Sequence, residues 1–260
     1  MKTIILAGGV GARFFEKTID TPKPLIEIGE KPLLWHIMHT YSQYQFNEFV
    51  VALGYKSYLI KEYFTSLYIL NNDLSIELKN GKTTIHGSHA LPWIVHLVDT
   101  GMNTQTGGRL KRLQKWIGHE RFMLTYGDGL TDVDIDELLA FHKSHGKLAT
   151  VLSVHPPTRF GELKFKEEQI YSFHEKPQVK KDWINGGFFV LEPEIFAYLE
   201  NDETIWERDP LEKLAQEGEL MGFKHTGFWQ SMDTIHEWRY LQSLWDSGEA
   251  RWLKDELLVR

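Results

Sequence analysis

The chain opens MKTIILAGGVGAR, residues 1–13, and the reading of this stretch decides the fold. Ile4 to Ala7 is an unbroken apolar run closed by Gly8 and Gly9, the pattern of a strand buried on both faces of a parallel sheet. With one lysine before it and so few apolar residues, the run is too short for a secretory h-region or a membrane span. Residues 6–13, LAGGVGAR, then form a glycine-rich turn at the carboxyl end of that strand, where ligands bind in open α/β sheets. Glycines let backbone N–H groups approach phosphate oxygens that a β-carbon would block, and Arg13 would add a charge-assisted contact. For the loop alone, a tight strand-to-helix turn without a ligand is the competing reading.

Two better-known phosphate loops are excluded. GxxxxGK[ST] is absent, because no Lys-Ser or Lys-Thr follows the glycines. The dinucleotide fingerprint would need a glycine where Phe14 stands and an acid at the end of the second strand, where Gly54 stands. Ten residues past Arg13 lies Pro22-Lys23-Pro24-Leu25. Its lysine is held between two prolines that restrict the backbone and can aim the ammonium group.

Outward from this start, Pro32 sits at the head of a helix over 32–44, where its missing N–H is no loss. A buried strand follows over 49–54, then a helix over 56–68. A strand-rich region runs to residue 98, broken by the hairpin signal Asn80-Gly81. A helix over 107–116 leads to a strand over 122–126, which ends in Gly127-Asp128-Gly129. The period repeats with a helix over 134–145, carrying Ile135, Leu138, Leu139 and His142 on one face, and a strand over 148–154. Past Pro156 come short strands, then helices over 209–217 and 233–245. The alternation predicts an α/β fold with a mostly parallel central sheet flanked by helices. With no internal repeat or long linker, residues 1–260 read as a single domain; the tail after Gly248 is a docking arm or a frayed end.

Composition bounds the function. Hydrophobic residues make up 42% and charged residues 25% of the 260, enough to bury a core. The net charge of −7 argues against nucleic acid as the partner, which usually needs a basic face. There are no cysteines, which excludes disulfides and thiolate chemistry and is compatible with a cytoplasmic location. Nothing in the sequence calls for a membrane.

Two acids stand where a metal-bound ligand could approach. Asp128 ends a strand between glycines, so its carboxylate projects from the sheet edge. Asp233, in GFWQSMDT just before the last helix, is either its N-cap or a second ligand. Together they suit magnesium, which takes few protein carboxylates beside water and phosphate oxygens. Asp132, Asp134 and Asp136 read as caps and surface charge near a helix start. The HxxH pairs at His36/His39, His86/His89 and His142/His145 lack a clear third zinc ligand and read as packed or surface histidines.

At this point the chain resembles the sugar nucleotidylyltransferases, and most closely the glucose-1-phosphate cytidylyltransferases, from Ile4 to about Trp245. The general motifs are LAGGVGAR, PKPL, the GDG around Asp128, EKP at 175–177 and NGG at 185–187. More specific are KPLLWHIMHTYS, GYKSYLIKEYF, LVDTG followed by TGGRLKR, and GFWQSMDT. The resemblance implies a GT-A-like fold, CTP and α-D-glucose 1-phosphate as substrates, Mg2+ as the metal, and a homo-oligomer. It also implies a nucleotide-binding half over about 1–130. The sugar-phosphate-binding half, with a small β-rich region and the C-terminal helix, would cover about 131–260.

Carried over by position, Leu6, Ala7, Gly8, Gly9, Val10, Gly11, Ala12 and Arg13 would wrap the nucleotide. Arg13 and Lys23 would lie on phosphates and act with Asp128 in catalysis, and Thr104 and Arg109 would contact CTP. Asp128 and Asp233 would share the metal. Gly161, Glu175, Lys176, Asn185 and Gly186 would line the sugar-phosphate pocket. The family loop usually continues Gly-Thr-Arg-Leu, whereas this chain has Gly11-Ala12-Arg13-Phe14, which predicts altered nucleotide affinity with the fold retained. Other readings are a nucleotidylyltransferase with another triphosphate or phosphorylated acceptor, a glycosyltransferase of the same fold, and a non-catalytic nucleotide sensor.

Overall fold

The structure is a computed structural model that describes residues 1–9, 20–87, 91–156, 162–174 and 182–254. It begins with β1 (Thr3–Leu6), a 3-10 turn (Lys23–Leu25), the short pair β2 (Glu27–Ile28) and β3 (Lys31–Pro32), and α1 (Leu33–Ser42). Next come β4 (Glu48–Leu53), α2 (Ser57–Leu70), β5 (Asp73–Glu77), β6 (Lys82–His86) and β7 (Ile94–Asp99). The middle holds α3 (Thr106–Arg112), α4 (Gln114–Ile117), β8 (Phe122–Tyr126), β9 (Gly129–Thr131), α5 (Ile135–His145) and β10 (Ala149–Val154). After β11 (Glu162–Lys166), β12 (Gln169–His174) and β13 (Ile184–Leu191), the chain closes with α6 (Asp209–Gln216), β14 (Leu220–Lys224), β15 (Trp229–Ser231) and α7 (Ile235–Asp246).

Seven strands form one sheet in the order β14-β10-β13-β8-β1-β4-β7. Only β13 runs against its neighbours there, pairing antiparallel with β10 and β8; β1 pairs parallel with both β4 and β8. The sheet is therefore mostly parallel, as the alternating pattern implies. Ile4 and Ile5 are both fully buried but belong to different cores. Ile5 packs in the layer of α1, α5 and α7, and Ile4 in the layer of α3 and α6, as the two-residue period of a strand requires. The chain steps from β1 out to β4 and β7, then returns to β8 on the other side of β1. A crevice opens at such a switch point, beyond the carboxyl ends of the strands.

Several boundaries differ from the sequence reading, for local reasons. Helix α1 starts at Leu33 because Pro32 ends β3 and lies outside the first turn, with φ −59° and ψ 150°. The helix expected over 107–116 is two pieces, since Leu113 N–H turns back to Leu110 O at 3.0 Å, a tighter i→i−3 closure. Asn80-Gly81 lies in a four-residue connection between β5 and β6, with Gly81 at φ +75°. Asp134 caps α5, accepting from Glu137 N–H at 3.0 Å. The last helix is capped by Thr234, not by Asp233.

Residues 249–254 dock: Ala250, Trp252 and Leu253 are buried in the α1 layer. The Trp252 indole N–H donates to His36 Nδ1 at 3.1 Å, and His36 Nε2 donates to Ile28 O at 2.9 Å. Both bonds require the neutral imidazole, because a proton on Nδ1 would face the indole N–H. Burial pushes the His36 pKa down to about 4. Its folded value lies below the unfolded one, so its contribution to stability is full above pH 6.5 and is lost as pH falls toward 4. That loss reaches about 3 kcal/mol, and half-buried His39 and buried His142, also shifted down, act in the same direction. Urea unfolding at pH 7 and pH 4.5 measures it. His36→Gln, whose amide can keep both bonds, should flatten the pH dependence, and an unchanged slope would contradict this account.

Candidate active site

Three side chains distant in sequence meet at the switch point. Pro22 precedes the 3-10 turn in extended geometry and buried Pro24 follows Lys23; Leu25 N–H closes the turn on Pro22 O at 2.8 Å. The turn aims the Lys23 ammonium into the crevice. Asp128 gets there because β8 ends against β1: Gly127 N–H bonds Leu6 O at 3.1 Å, and a β-carbon at Gly127 would lie 2.7 Å from that oxygen. Asp233 arrives through a tether, since β15 pairs with β9 and Met232 N–H donates to Asp128 O at 2.8 Å. Thr234 and Glu237 then fix the start of α7: Glu237 N–H bonds Thr234 Oγ1 at 3.2 Å and Asp233 N–H bonds Glu237 Oε2 at 2.7 Å. The T-x-x-E spacing at 234–237 is the sequence signal of that capping.

Lys23 Nζ lies 2.8 Å from Asp128 Oδ2 and 2.8 Å from Asp233 Oδ1. The lysine side chain is only 11% exposed. Burial alone would lower its pKa, but Asp128 and then Asp233 outweigh that and hold it above the ordinary lysine value. The ammonium is therefore permanently charged. Two carboxylates from separate parts of the chain thus point at a single cation-sized place.

That place opens into a cleft of about 450 Å3 lined by Leu6, Ala7, Gly8 and Gly9 along one wall and by Thr104, Gln105, Thr106 and Arg109 along another. Tyr126, Asp128, Glu207 and Asp233 complete it. Among the described residues, chain neighbours apart, nothing lies within 4 Å of where a β-carbon at Gly9 would stand. Gly8 and Gly54 are glycines for another reason: a side chain at either would strike the Arg109 guanidinium.

Arg109 lines the cleft, yet its donors face backward. Nη1 bonds Leu53 O at 3.0 Å, Thr100 Oγ1 at 2.8 Å and Gly101 O at 2.8 Å, while Nη2 bonds Gly8 O at 3.1 Å and Met102 O at 3.2 Å. It ties the ends of β1, β4 and β7 together. Burial pulls its pKa below the ordinary guanidinium value, but an arginine stays charged. A positive charge thus sits directly behind the glycine turn.

Asn185 reaches the cleft indirectly, its Nδ2 donating to the Tyr126 hydroxyl at 3.1 Å, and Gly186 O accepts from Trp229 Nε1 at 2.7 Å. Leu6, Ala7, Gly8, Gly9, Lys23, Thr104, Arg109, Asp128 and Asp233 are therefore brought to one cleft, with Asn185 and Gly186 at its side. Val10, Gly11, Ala12, Arg13, Gly161, Glu175 and Lys176 lie outside the described residues. Sequence reasoning missed Tyr126, Thr106 and Glu207; none belongs to a spacing that singles it out. Among the described residues no group of three or more His, Cys, Asp or Glu side chains forms a metal cage. The two aspartates form an open pair.

Comparison with known proteins shows the family. Residues 2–236 match the nucleotidyl transferase family. The glucose-1-phosphate cytidylyltransferases of Salmonella typhimurium and Salmonella typhi are each 49% identical over 253 residues, covering 97% of this chain and 98% of theirs. Among solved structures, HddC from Yersinia pseudotuberculosis complexed with GMP-PN superposes with a TM-score of 0.68 at 21% identity, over 93% of this chain and 98% of that one. At that identity the last likeness concerns the fold alone.

Proposed function

The chain belongs to the nucleotidyl transferase family, beside its glucose-1-phosphate cytidylyltransferases, and from that premise we propose that it transfers the cytidylyl group of CTP to α-D-glucose 1-phosphate. The products are CDP-glucose and pyrophosphate. The observation that carries this reading is the convergence of Lys23, Asp128 and Asp233 at the mouth of the glycine-lined cleft.

The attacking group, an oxygen of the sugar phosphate, is already anionic, so no general base is needed. The protein's work is to place two anions in line and to neutralise charge. Gly9 leaves room for the phosphate chain against the backbone, Arg109 supplies positive potential from behind the turn, and the protonated Lys23 faces the phosphates. An open pair of carboxylates suits magnesium, which fills the rest of its shell with water and phosphate oxygens; Asp128 and Asp233 would hold it. Magnesium bound there supplies further neutralisation of the triphosphate. Asn185, Gly186 and, by family position, Gly161, Glu175 and Lys176 would take the sugar phosphate.

Pyrophosphate release over CTP, UTP, GTP, ATP and dTTP, against a panel of hexose 1-phosphates with magnesium, tests the reaction. CTP with glucose 1-phosphate should exceed every other pair at least tenfold. Equal rates with another triphosphate, or binding of CTP without turnover, would contradict the proposal.

The functional unit in this reading is a homo-oligomer in the cytoplasm. No helix among the described residues is long and apolar enough to cross a membrane. The β5–β6 hairpin has one polar face, pairing Asp73 with His86, Ser75 with Thr84 and Glu77 with Lys82, and one apolar face, pairing Leu74 with Ile85 and Ile76 with Thr83. Leu74, Ile76 and neighbouring Leu78 are all exposed, and a lone two-stranded hairpin is marginally stable in water. Ten of the fifteen large apolar residues exposed among the described ones fall within 58–102. The interface falls on this hairpin, whose exposed apolar side chains a partner would cover. Light scattering should give a multiple of the chain mass, reduced by Ile76→Lys with Leu78→Lys; a monomeric wild type would refute the interface.

A further inference from the structure

We infer that Glu207 reads the exocyclic amino group of cytosine and is the side chain by which the cleft separates CTP from UTP. This rests on the cytidylyl-transfer reading above and names its base specificity. Glu207 lines the cleft, and an acceptor-only anion in a pocket for phosphates is repulsive unless it faces a hydrogen-bond donor. Its surroundings sharpen the point. Thr106 Oγ1 donates to Glu207 Oε2 at 2.6 Å and itself accepts Trp206 N–H at 2.9 Å. The hydroxyl hydrogen is therefore committed to the carboxylate. An ionised carboxylate has about four lone-pair sites; those left over offer acceptance and nothing else.

The carboxylate is also held in place. Gln105 N–H bonds Asp202 O at 2.9 Å and Gly108 N–H bonds Thr204 O at 3.1 Å. Gly107 packs against Thr204 so closely that a β-carbon would lie 2.8 Å from its carbonyl oxygen. Trp206, beside Glu207 in the chain, is fully buried against Phe189. This stitching fixes the acid against α3.

Its position selects the donor. Lys23 and Asp233 enter from the α1 and α7 layer, and Glu207 from the α3 and α6 layer on the other side of the sheet. A nucleotide with its phosphates at Lys23 and the glycine turn points its base to the α3 wall, toward Thr104, Thr106 and Glu207. Cytosine and uracil have nearly the same shape there but opposite polarity: cytosine presents an N4 amino donor and uracil an O4 acceptor. A fixed carboxylate attracts the first and repels the second.

The test is kcat/KM for CTP, UTP and dCTP in wild type and Glu207→Gln, with melting temperature as the folding check. The isosteric amide can donate as well as accept, so the CTP-to-UTP ratio should fall at least tenfold with the CTP-to-dCTP ratio unchanged. A parallel fall for CTP and UTP, a shift in the CTP-to-dCTP ratio, or an effect confined to KM for glucose 1-phosphate overturns the assignment. If Glu207→Gln fails to fold, wild-type enzyme with N4,N4-dimethyl-CTP, which has no donor, decides. At least a tenfold loss relative to 5-methyl-CTP is expected, and equal use of the two refutes it. A wild type that ignores CTP altogether would instead sink the cytidylyl-transfer reading.

Discussion

Asp128→Asn and Asp233→Asn should each lower turnover on the order of 10²–10³-fold while leaving the chain folded. Asparagine keeps the shape of aspartate and removes its charge, so a change in activity reports charge at the cation site. In either variant Lys23 keeps one carboxylate at hydrogen-bond distance. The buried ammonium is therefore never stranded, and stability should drop by no more than the about 1.5–3 kcal/mol of one hydrogen bond to a charged group. Pyrophosphate release and thermal unfolding, measured on the same preparations, separate the two effects. Full activity in either variant would remove that aspartate from the site.

The second large effect is expected at Arg109. Arg109→Met leaves Gly8 O, Leu53 O, Thr100 Oγ1, Gly101 O and Met102 O without the guanidinium that holds them. Some retain other bonds, such as the 2.9 Å bond from Thr100 N–H to Leu53 O, so the losses do not simply add. The total should resemble the breaking of a buried charged network, about 3–5 kcal/mol, or about 10 °C in melting temperature for a chain of this size. Arg109→Lys should not restore it, because an ammonium has three donors and no planar fork. Activity should fall with stability, since the glycine turn loses its anchor and the positive charge behind it. A melting temperature within about 2 °C of wild type would mean that the guanidinium serves a ligand alone.

Much of this was legible in the sequence because local chemistry and tertiary structure agree. Ile4 to Ala7 is apolar on both faces because both faces are buried, and Gly127-Asp128-Gly129 signals an acid at a strand end because Gly127 is needed for close packing on β1. The pairing of Asp128 with Asp233 was less open to view: it depends on the β9–β15 pairing, two short strands about a hundred residues apart. The sequence leaves Asp233 either the cap of the last helix or a ligand, and T-x-x-E at 234–237 decides for Thr234 as the cap. Arg109 illustrates the opposite difficulty. Its family position indicates a ligand contact, but its geometry makes it a clamp on three strand ends, a role set by carbonyls at Gly8, Leu53, Gly101 and Met102 that no side-chain pattern encodes. Glu207 was invisible for the same reason, since it becomes part of the cleft only when the segment before α6 packs on α3.

The most direct measurement is an anomalous difference map from crystals grown with CTP and manganese in place of magnesium. The account predicts one manganese peak coordinated by both Asp128 and Asp233, with the Lys23 ammonium moved off at least one carboxylate and onto a phosphate oxygen. A triphosphate bound elsewhere in the cleft, with Lys23 still bridging the two aspartates and no peak between them, would contradict it.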